Sequence, residues 1–458
     1  MKSREQSSRV NGNKWSPLKV FFVLFIAGTI LRIAVIFALR HVPFVSDARD
    51  YVDVAHRLLS GQRFVPYWPP GLPLYLTPFV ALGGSAAVLR ASMLFFWVLA
   101  CWAIWRLASG LGLERYAWLP LAVFVVMPAS IQLSVEPLTQ LPVAALLLVA
   151  LGAAVTAIVS RAKRQWDTTL LLGISLGWMA LLRPSALPLV LLVPALCGAV
   201  SRRWKHACLA AVLGMAMVIG WLAEVHHLCN AWMINSANSV NLYYGNNPWT
   251  PMYRTWYFGS WAKIGSPEIA RFPEYEQIVT RTFALPPLAA EAEFKRMAVT
   301  YILHHPWIFA LRSVNRFRCY WGFDTFTSAN LRKAGPIGHK LFPLSLAAEA
   351  GAYLAIALPA FFWIAAAPAA FWRTWRSWLL AGALLVYSLP YWFSMSHPTY
   401  HFPVIMPLAF LGLAAWRFAE NVRHSTRVSH SSRRGWSAVV LLLLIQLEWA
   451  AYLFHSNG

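Results

Sequence analysis

Residues 18–61, "LKVFFVLFIAGTILRIAVIFALRHVPFVSDARDYVDVAHRLLSG", join an apolar run to a polar segment that opens on two aspartates. About 20 apolar residues cross the hydrocarbon core of a bilayer. The run from Leu18 to Leu39 exceeds the apolar region of a signal peptide, and the "RHVPF" that follows has no small-x-small cleavage pattern. It is read as a retained first span. Ser46 is a good helix N-cap, and Asp47 and Asp50 fall in the first turn, where carboxylates favour the macrodipole. Tyr51, Val54, Ala55, Leu58 and Leu59 form an apolar stripe, with Arg49, His56, Arg57 and Arg63 on other faces and Gly61 at the stop. The sequence therefore predicts a short amphipathic helix over 46–61, lying on the membrane surface just outside the first span.

The rest of the chain fits that beginning. Of 458 residues, 59% are hydrophobic and 12% charged, about half the charge of a soluble domain. No repeat of a solenoid or propeller period is visible. The net charge of +22 comes from Lys and Arg gathered in short loops between apolar runs. Membrane topology produces that pattern, and a nucleic-acid partner is excluded on the same ground. We read about 11 transmembrane helices, near 18–40, 86–108, 116–133, 138–159, 167–182, 185–200, 207–226, 346–370, 377–395, 402–418 and 436–454. The basic connectors are the N-terminus (Lys2, Arg4, Arg9, Lys14, Lys19), residues 161–164, 202–205 and 373–376, and the run from Arg417 to Arg434. The positive-inside tendency assigns them to the cytoplasm. The expected fold is an all-α polytopic integral membrane protein of the inner (plasma) membrane with an external, mixed or α-rich domain. Its parts are a cytoplasmic tail (1–17), an N-terminal module of about seven spans (18–226), an external, periplasmic segment (227–345) and a C-terminal module of about four spans (346–458).

Segment 227–345 carries turn chemistry in "YGNNPWTP" (243–251) and a dense aromatic set, Tyr243, Tyr244, Trp249, Tyr253, Trp256, Tyr257 and Trp261. An amphipathic helix is predicted near 288–304, with Glu291 and Lys295 four apart. "WIFALRSVNRFRCYW" (307–321) interleaves aromatics with Arg312, Arg316 and Arg318, the pattern of an interfacial helix facing anionic headgroups. Cys229 and Cys319 share one aqueous side in this topology, so a disulfide between them is an open expectation.

The topology gathers the unusual polar residues on one non-cytoplasmic rim. Each has a bland reading. Asp47 and Asp50 can merely start a helix, "PYWPPGLPLYLTPF" (66–79), with Tyr67 and Trp68, can be a stiff connector, and Glu136 can cap the span it begins. Arg183, between two apolar runs, can snorkel, although a rim arginine is a functional hypothesis by default with an anionic partner expected. His397, Tyr400 and His401 in "SHPTYHFPVIMP" (396–407) can be structural rim residues.

The order of these signals is more specific than any one of them. Asp47-x-x-x-Tyr51-x-x-x-Ala55 with Leu58 and Gly61 is followed by Pro69–Pro70–Gly71-x-Pro73, Ser134-x-Glu136–Pro137 and Leu182–Arg183–Pro184. Then come Gly245–Asn246–Asn247–Pro248, Tyr301-x-x-x-His305–Pro306 and Tyr400-x-Phe402–Pro403. In this the chain resembles the GT-C superfamily of polyprenyl-phosphate-sugar-dependent glycosyltransferases, most closely bacterial relatives of the family 39 protein mannosyltransferases and the lipid A aminoarabinose transferases. The resemblance runs from about 18 to 415 and is strongest in the first 190 residues.

The resemblance implies a sugar moved from a polyprenyl-phosphate donor to a lipid, glycan or protein acceptor outside the cytoplasm. Asp47 would be the general base, with Glu136 a second catalytic-site acid. Arg183, backed by His397, His401 and Tyr400, would bind the donor phosphate, and Asp50, Tyr51, Trp68, Asn246 and Asn247 would be acceptor or supporting residues. Such proteins often have an arginine just before the late tyrosine; here Thr399 stands there, which leaves His397 or His401 to serve that end. No cofactor is required by the pattern, and a divalent Mg or Mn ion is compatible with it. A single base without a second nucleophile implies inversion. The chain shows neither a Gly-rich nucleotide loop nor a clear DxD, since "DARD" has two residues between its acids, and this favours the lipid-linked donor. The rivals are a lipid or glycolipid flippase, a ligase or polymerase of the O-antigen kind using a diphosphate-linked glycan, and an assembly scaffold. Against the flippase, no inverted repeat is evident and acids are absent from mid-span positions.

Overall fold

The computed structural model describes residues 16–160, 165–252, 272–333, 335–425 and 432–455. Lys2, Arg4, Arg9 and Lys14, residues 161–164, part of the Arg417–Arg434 run, and Tyr253, Trp256, Tyr257 and Trp261 lie outside the described residues. Among the described residues all regular structure is helical.

In chain order the N-terminal helices are α1 (Pro17–Leu39), α2 (Asp47–Leu59), α3 (Gly71–Ala81), α4 (Ala86–Leu111), α5 (Trp118–Val126) and α6 (Pro128–Leu133). They continue as α7 (Gln140–Val159), α8 (Gln165–Leu182), α9 (Leu189–Ser201) and α10 (Trp204–Cys229). Segment 227–345 supplies α11 (Ala237–Gly245), α12 (Pro273–Phe283), α13 (Pro287–His304), α14 (Pro306–Tyr320) and α15 (Phe326–Lys333). The chain closes with α16 (Pro336–Ala366), α17 (Trp375–Phe393), α18 (Phe402–Ser425) and α19 (Ser432–His455). The protein is thus an all-α polytopic membrane protein. Its centre is α7 and the span containing α18, each with 78% of its apolar window buried, whereas α1 and α10 turn most of theirs outward to lipid.

Eight helices among the described residues are long and apolar enough to cross a membrane, against the eleven spans read from the sequence. At two of the other three positions, α8 and α17 are helices of 18 and 19 residues whose first turns are polar: Gln165, Asp167 and Thr168, and Arg376 and Ser377. The third, 116–133, is not one helix. Met127 is extended (φ −61°, ψ 121°) ahead of Pro128, and the helix breaks there because proline crowds the preceding residue out of the helical region. A break at membrane depth survives only where protein satisfies the freed backbone groups. Arg32 of α1 supplies the donors: Nη2 to Phe124 O (3.3 Å) and to Ser130 Oγ (2.8 Å), and Nη1 to Val125 O (3.4 Å). Glu349 of α16 supplies the acceptor, taking the Ala129 N–H at 2.7 Å. Glu349 is buried well inside a span helix, so the expectation that acids are absent from mid-span does not hold there. The helix containing it begins at Pro336, ten residues before the expected start of that span.

Segment 227–345 has a small apolar core of its own, Val240, Tyr243, Tyr275, Val279, Phe294 and Ala298, on α11, α12 and α13. The predicted 288–304 helix is α13, but Glu291 accepts from Ser239 on α11, and the charge pair of that helix is Glu293–Arg296 at 2.6 Å. The reading of Arg312 and Arg316 as headgroup-facing is corrected. Both are buried in α14 and donate inward, Arg312 to the carbonyls of Asn247 and Thr250, Arg316 to those of Gly245 and Phe393. Arg318 pairs with Glu448 of α19 at 2.8 Å. Cys229 and Cys319 are free thiols: the first lies against Val225 O at the end of α10, the second against Ser396 O.

Candidate active site

Asp47 opens α2, but Ser46 does not cap it. Ser46 takes a positive φ of 53°, and its hydroxyl donates to Asp47 Oδ1 (3.3 Å) while its carbonyl accepts from Arg49 and Asp50 N–H. The chain turns sharply there, and the helix starts on the two carboxylates, which favour its positive end. Ala48, Tyr51, Val52 and Ala55 are the buried face of α2; Val54 and Leu59 of the expected stripe are not part of it.

Three loops meet that first turn. Arg183 follows α8, which stops because Pro184 holds Arg183 extended (φ −147°, ψ 111°). Its Nε donates to Thr139 Oγ1 (2.9 Å), its Nη1 to Tyr391 OH (3.1 Å), and its guanidinium carbon lies 5.2 Å from the centre of the Tyr400 ring. Tyr391 also meets Ser185 Oγ at 3.1 Å and stacks on Tyr400 with ring centres 4.8 Å apart. Tyr51 is within electrostatic reach of Asp47, Arg183 and Tyr400 and lies beside Thr139. Gly71 permits the close approach of α3 to this place, since a Cβ there would stand 2.7 Å from Leu182 N.

Asp47 and Arg183 feel each other's charge, yet among the described residues Asp47 makes no ion pair. The Asp47 side chain is open to solvent while protein crowds it on several sides, the situation of a group lining a recess. Lost hydration raises its carboxyl above the usual carboxylate range and Asp50 adds to this, while the Ser46 hydroxyl and Arg183 oppose it. Asp50 itself is held by Trp68, whose Nε1 donates to Oδ2 at 3.3 Å, and the Trp68 ring packs on Tyr51.

Other predicted site residues are spent elsewhere. Glu136 accepts from Arg90 Nη2 (3.0 Å) and Nε (3.3 Å), and the same arginine donates to Val42 O (2.8 Å) and covers the Phe44 ring. Glu136 thereby pins the α1–α2 connector that leads to Asp47, and burial pushes its carboxyl up against the pull of Arg90. His397 is buried, which lowers it to about 3, so it is a neutral imidazole rather than a cation. Its Nδ1 accepts from Thr399 N (3.1 Å), leaving the hydrogen on Nε2. His401 is enclosed among Tyr320, Trp321 and Tyr353, with Nδ1 2.6 Å from Tyr320 O. Asn246 and Asn247 are buried loop organisers. Asn246 donates to Leu242 O and Phe393 O, and Asn247 Oδ1 accepts from Trp249 N and Thr250 N.

Among the described residues no three His, Cys, Asp or Glu side chains converge on one point, and Glu136 is engaged by Arg90. The Mg or Mn ion considered from the sequence would therefore meet no cluster of three such side chains among the described residues. The residues that sequence reasoning missed are Arg90, Thr139, Ser185 and Tyr391. Arg90 sits in an apolar run, the same signal that singled out Arg183.

No protein-family model and no curated protein matches the chain. It is similar in structure to the archaeal oligosaccharyltransferase AglB from Archaeoglobus fulgidus in complex with an inhibitory peptide and a dolichol-phosphate. That match has TM-score 0.42 and 14% identity, over 94% of this chain and 54% of that one. The apo form of the same oligosaccharyltransferase gives TM-score 0.44 and 16% identity over 94% and 54%. ArnT from Cupriavidus metallidurans in the apo state gives TM-score 0.38 and 13% identity over 87% and 78%. The chain spans about half the length of the oligosaccharyltransferase chains.

Proposed function

We propose that this protein is a membrane glycosyltransferase that moves a sugar from a polyprenyl-phosphate donor to an acceptor outside the cytoplasm. The observation that carries the reading is the juxtaposition of an unpaired carboxylate, Asp47, with a guanidinium, Arg183, on one rim of a helical membrane protein. The motif order supports the same reading. Transfer from a lipid phosphate needs an acceptor hydroxyl deprotonated and a phosphate leaving group stabilised. Asp47 takes the acceptor proton as the new glycosidic bond forms, and the bond from the sugar to the phosphate oxygen breaks with its electron pair on that oxygen. A base whose pKa stands above the ordinary carboxylate range is better matched to this task near neutral pH than a fully hydrated one.

Arg183 receives the developing phosphate charge. It is held in place by Thr139 and Tyr391, so its fork needs no reorganisation when the charge appears. His397 Nε2–H is a neutral donor on the same side. One base and no second nucleophile at the site favour inversion at the anomeric carbon. The face is extracytoplasmic and the membrane the inner (plasma) membrane, on the distribution of basic connectors. Glu349 does not favour the flippase reading, since its carboxylate is engaged by Ala129 N–H.

Purified protein in proteoliposomes, given a radiolabelled polyprenyl-monophosphate sugar and an envelope extract as acceptor source, tests this. Label is expected in the acceptor fraction. Movement of labelled lipid between leaflets without transfer would replace the reading with the flippase, and use of a diphosphate-linked glycan alone would replace it with the ligase or polymerase.

A further inference from the structure

Helix α14 is inside out. Its exposed residues are Pro306, Trp307, Ala310, Leu311, Val314 and Phe317, all apolar. Within α14, Trp307, Leu311, Val314 and Phe317 recur every three or four residues and share one face, and Leu303, exposed at the end of α13, stands just ahead of it across the break at His305. Trp307 is 81% exposed and Val314 66%, whereas Arg312 and Arg316 on the opposite face are 3% and 0% exposed. In water such a helix would hide its charges and display its hydrophobics, the reverse of what hydration favours.

We propose that the Leu303–Phe317 face lies in the hydrocarbon of the leaflet nearest the Asp47–Arg183 rim, docked by apolar burial and without anionic headgroups. Three observations identify lipid as the occupant. The first turns of α16 likewise expose Ile337, Leu341 and Leu344, and that helix goes on as a span. At 15 residues α14 is about 22 Å long, too short to cross and suited to lying along the membrane. Its far end is moored to two membrane helices, by Arg318–Glu448 to α19 and by Ser388 Oγ donating to Tyr320 OH (2.8 Å) on α17. The arginines that looked like headgroup ligands are withdrawn from the lipid side altogether.

The docking gives α14 a role as a strut. Arg312 and Arg316 hold the 245–250 loop and the end of α17, Ser396 Oγ donates to Arg316 O (2.9 Å), and Tyr320 O meets His401. Tyr391 and Tyr400 stand on the pieces so held, and the depth of α14 in the leaflet therefore sets their height. The docking stands apart from the sugar-transfer reading and survives its failure.

Two measurements test it. In the unaltered protein, in vesicles of zwitterionic phosphatidylcholine, a phospholipid with a photoactivatable group on its acyl chain is cross-linked and the adducts mapped by mass spectrometry. Adducts within 303–317 are expected; their absence there, with adducts on the spans, overturns the proposal. Separately, Trp307→Cys, Leu311→Cys and Val314→Cys in a chain lacking its own cysteines carry an environment-sensitive fluorophore, with Lys295→Cys as the water-facing control. Acyl-chain spin labels should quench the three at least ~5-fold more strongly than aqueous iodide does, unchanged by salt or added anionic lipid. Preferential quenching by iodide, dependence on anionic lipid, or protection from both quenchers with cross-links to a second copy would each overturn it.

Discussion

Glu136→Gln is the substitution whose consequence the geometry defines best. It removes the carboxylate from Arg90, whose side chain is 1% exposed, while Glu136 itself keeps 16%. Breaking a fully buried pair by removing one partner costs about 3–5 kcal/mol. Two features reduce that here: the partial exposure of Glu136, and the Val42 carbonyl and Phe44 ring that Arg90 retains. The net loss expected is about 2–3 kcal/mol. In a chain this large each kcal/mol moves the midpoint by no more than ~2 °C, so thermal unfolding in detergent should fall measurably, by up to ~4–6 °C. Pairing it with Arg90→Met should recover more than half of the loss, because an apolar residue needs no counter-charge. Transfer activity separates position from chemistry: if Glu136 acts by holding Arg90 and the connector to Asp47, Arg90→Met and Glu136→Gln should reduce turnover alike. Two single variants as stable as the wild type, or a double variant showing the full sum of two losses, would refute the pinning role.

Three further outcomes follow from the same geometry. Tyr391→Phe removes one hydrogen bond to Arg183 and another to Ser185, so the KM for the lipid-linked donor should rise about 5–30-fold with the unfolding temperature within ~4 °C of wild type; ~1 kcal/mol per bond sets both ranges. Because Asp47 is raised and must be deprotonated to act, activity should fall with acidification at a pH above the ordinary carboxylate range, and Asp50→Asn should move that limb to lower pH by removing a charge that raises Asp47. Gly245→Ala would put a Cβ 1.7 Å from Ser394 O, against backbone with no room to yield, and detergent-solubilised protein should show a loss of several degrees in midpoint; an unaltered midpoint would contradict the packing of α11 on the end of α17.

The sequence made the helical membrane class and the short helix carrying Asp47 legible, because apolar run length and amphipathic spacing report directly on hydration. It did not reveal which way α14 faces. An arginine that binds backbone carbonyls and one that binds headgroups have the same spacing, and only the exposed side of Trp307, Leu311 and Val314 separates them. The break at Met127–Pro128 was hidden for a related reason: proline is tolerated inside spans when neighbours satisfy the backbone, and the neighbours, Arg32 and Glu349, are far away in sequence. Asn246 and Asn247 entered as acceptor or supporting residues through the family resemblance, and their spacing did not show that both are buried, Asn246 bonded to Leu242 O and Phe393 O and Asn247 to Trp249 N and Thr250 N. Tyr391 gave no signal, being one aromatic among many in an apolar run.

The most direct test of the account is Asp47→Asn, compared with wild type in proteoliposomes supplied with a polyprenyl-monophosphate sugar and acceptor, after matched expression and unfolding temperature are established. The base role predicts transfer reduced by ~10²–10⁴-fold with donor binding retained. Transfer within threefold of wild type would contradict it, and with it the assignment of Asp47 as the group that activates the acceptor.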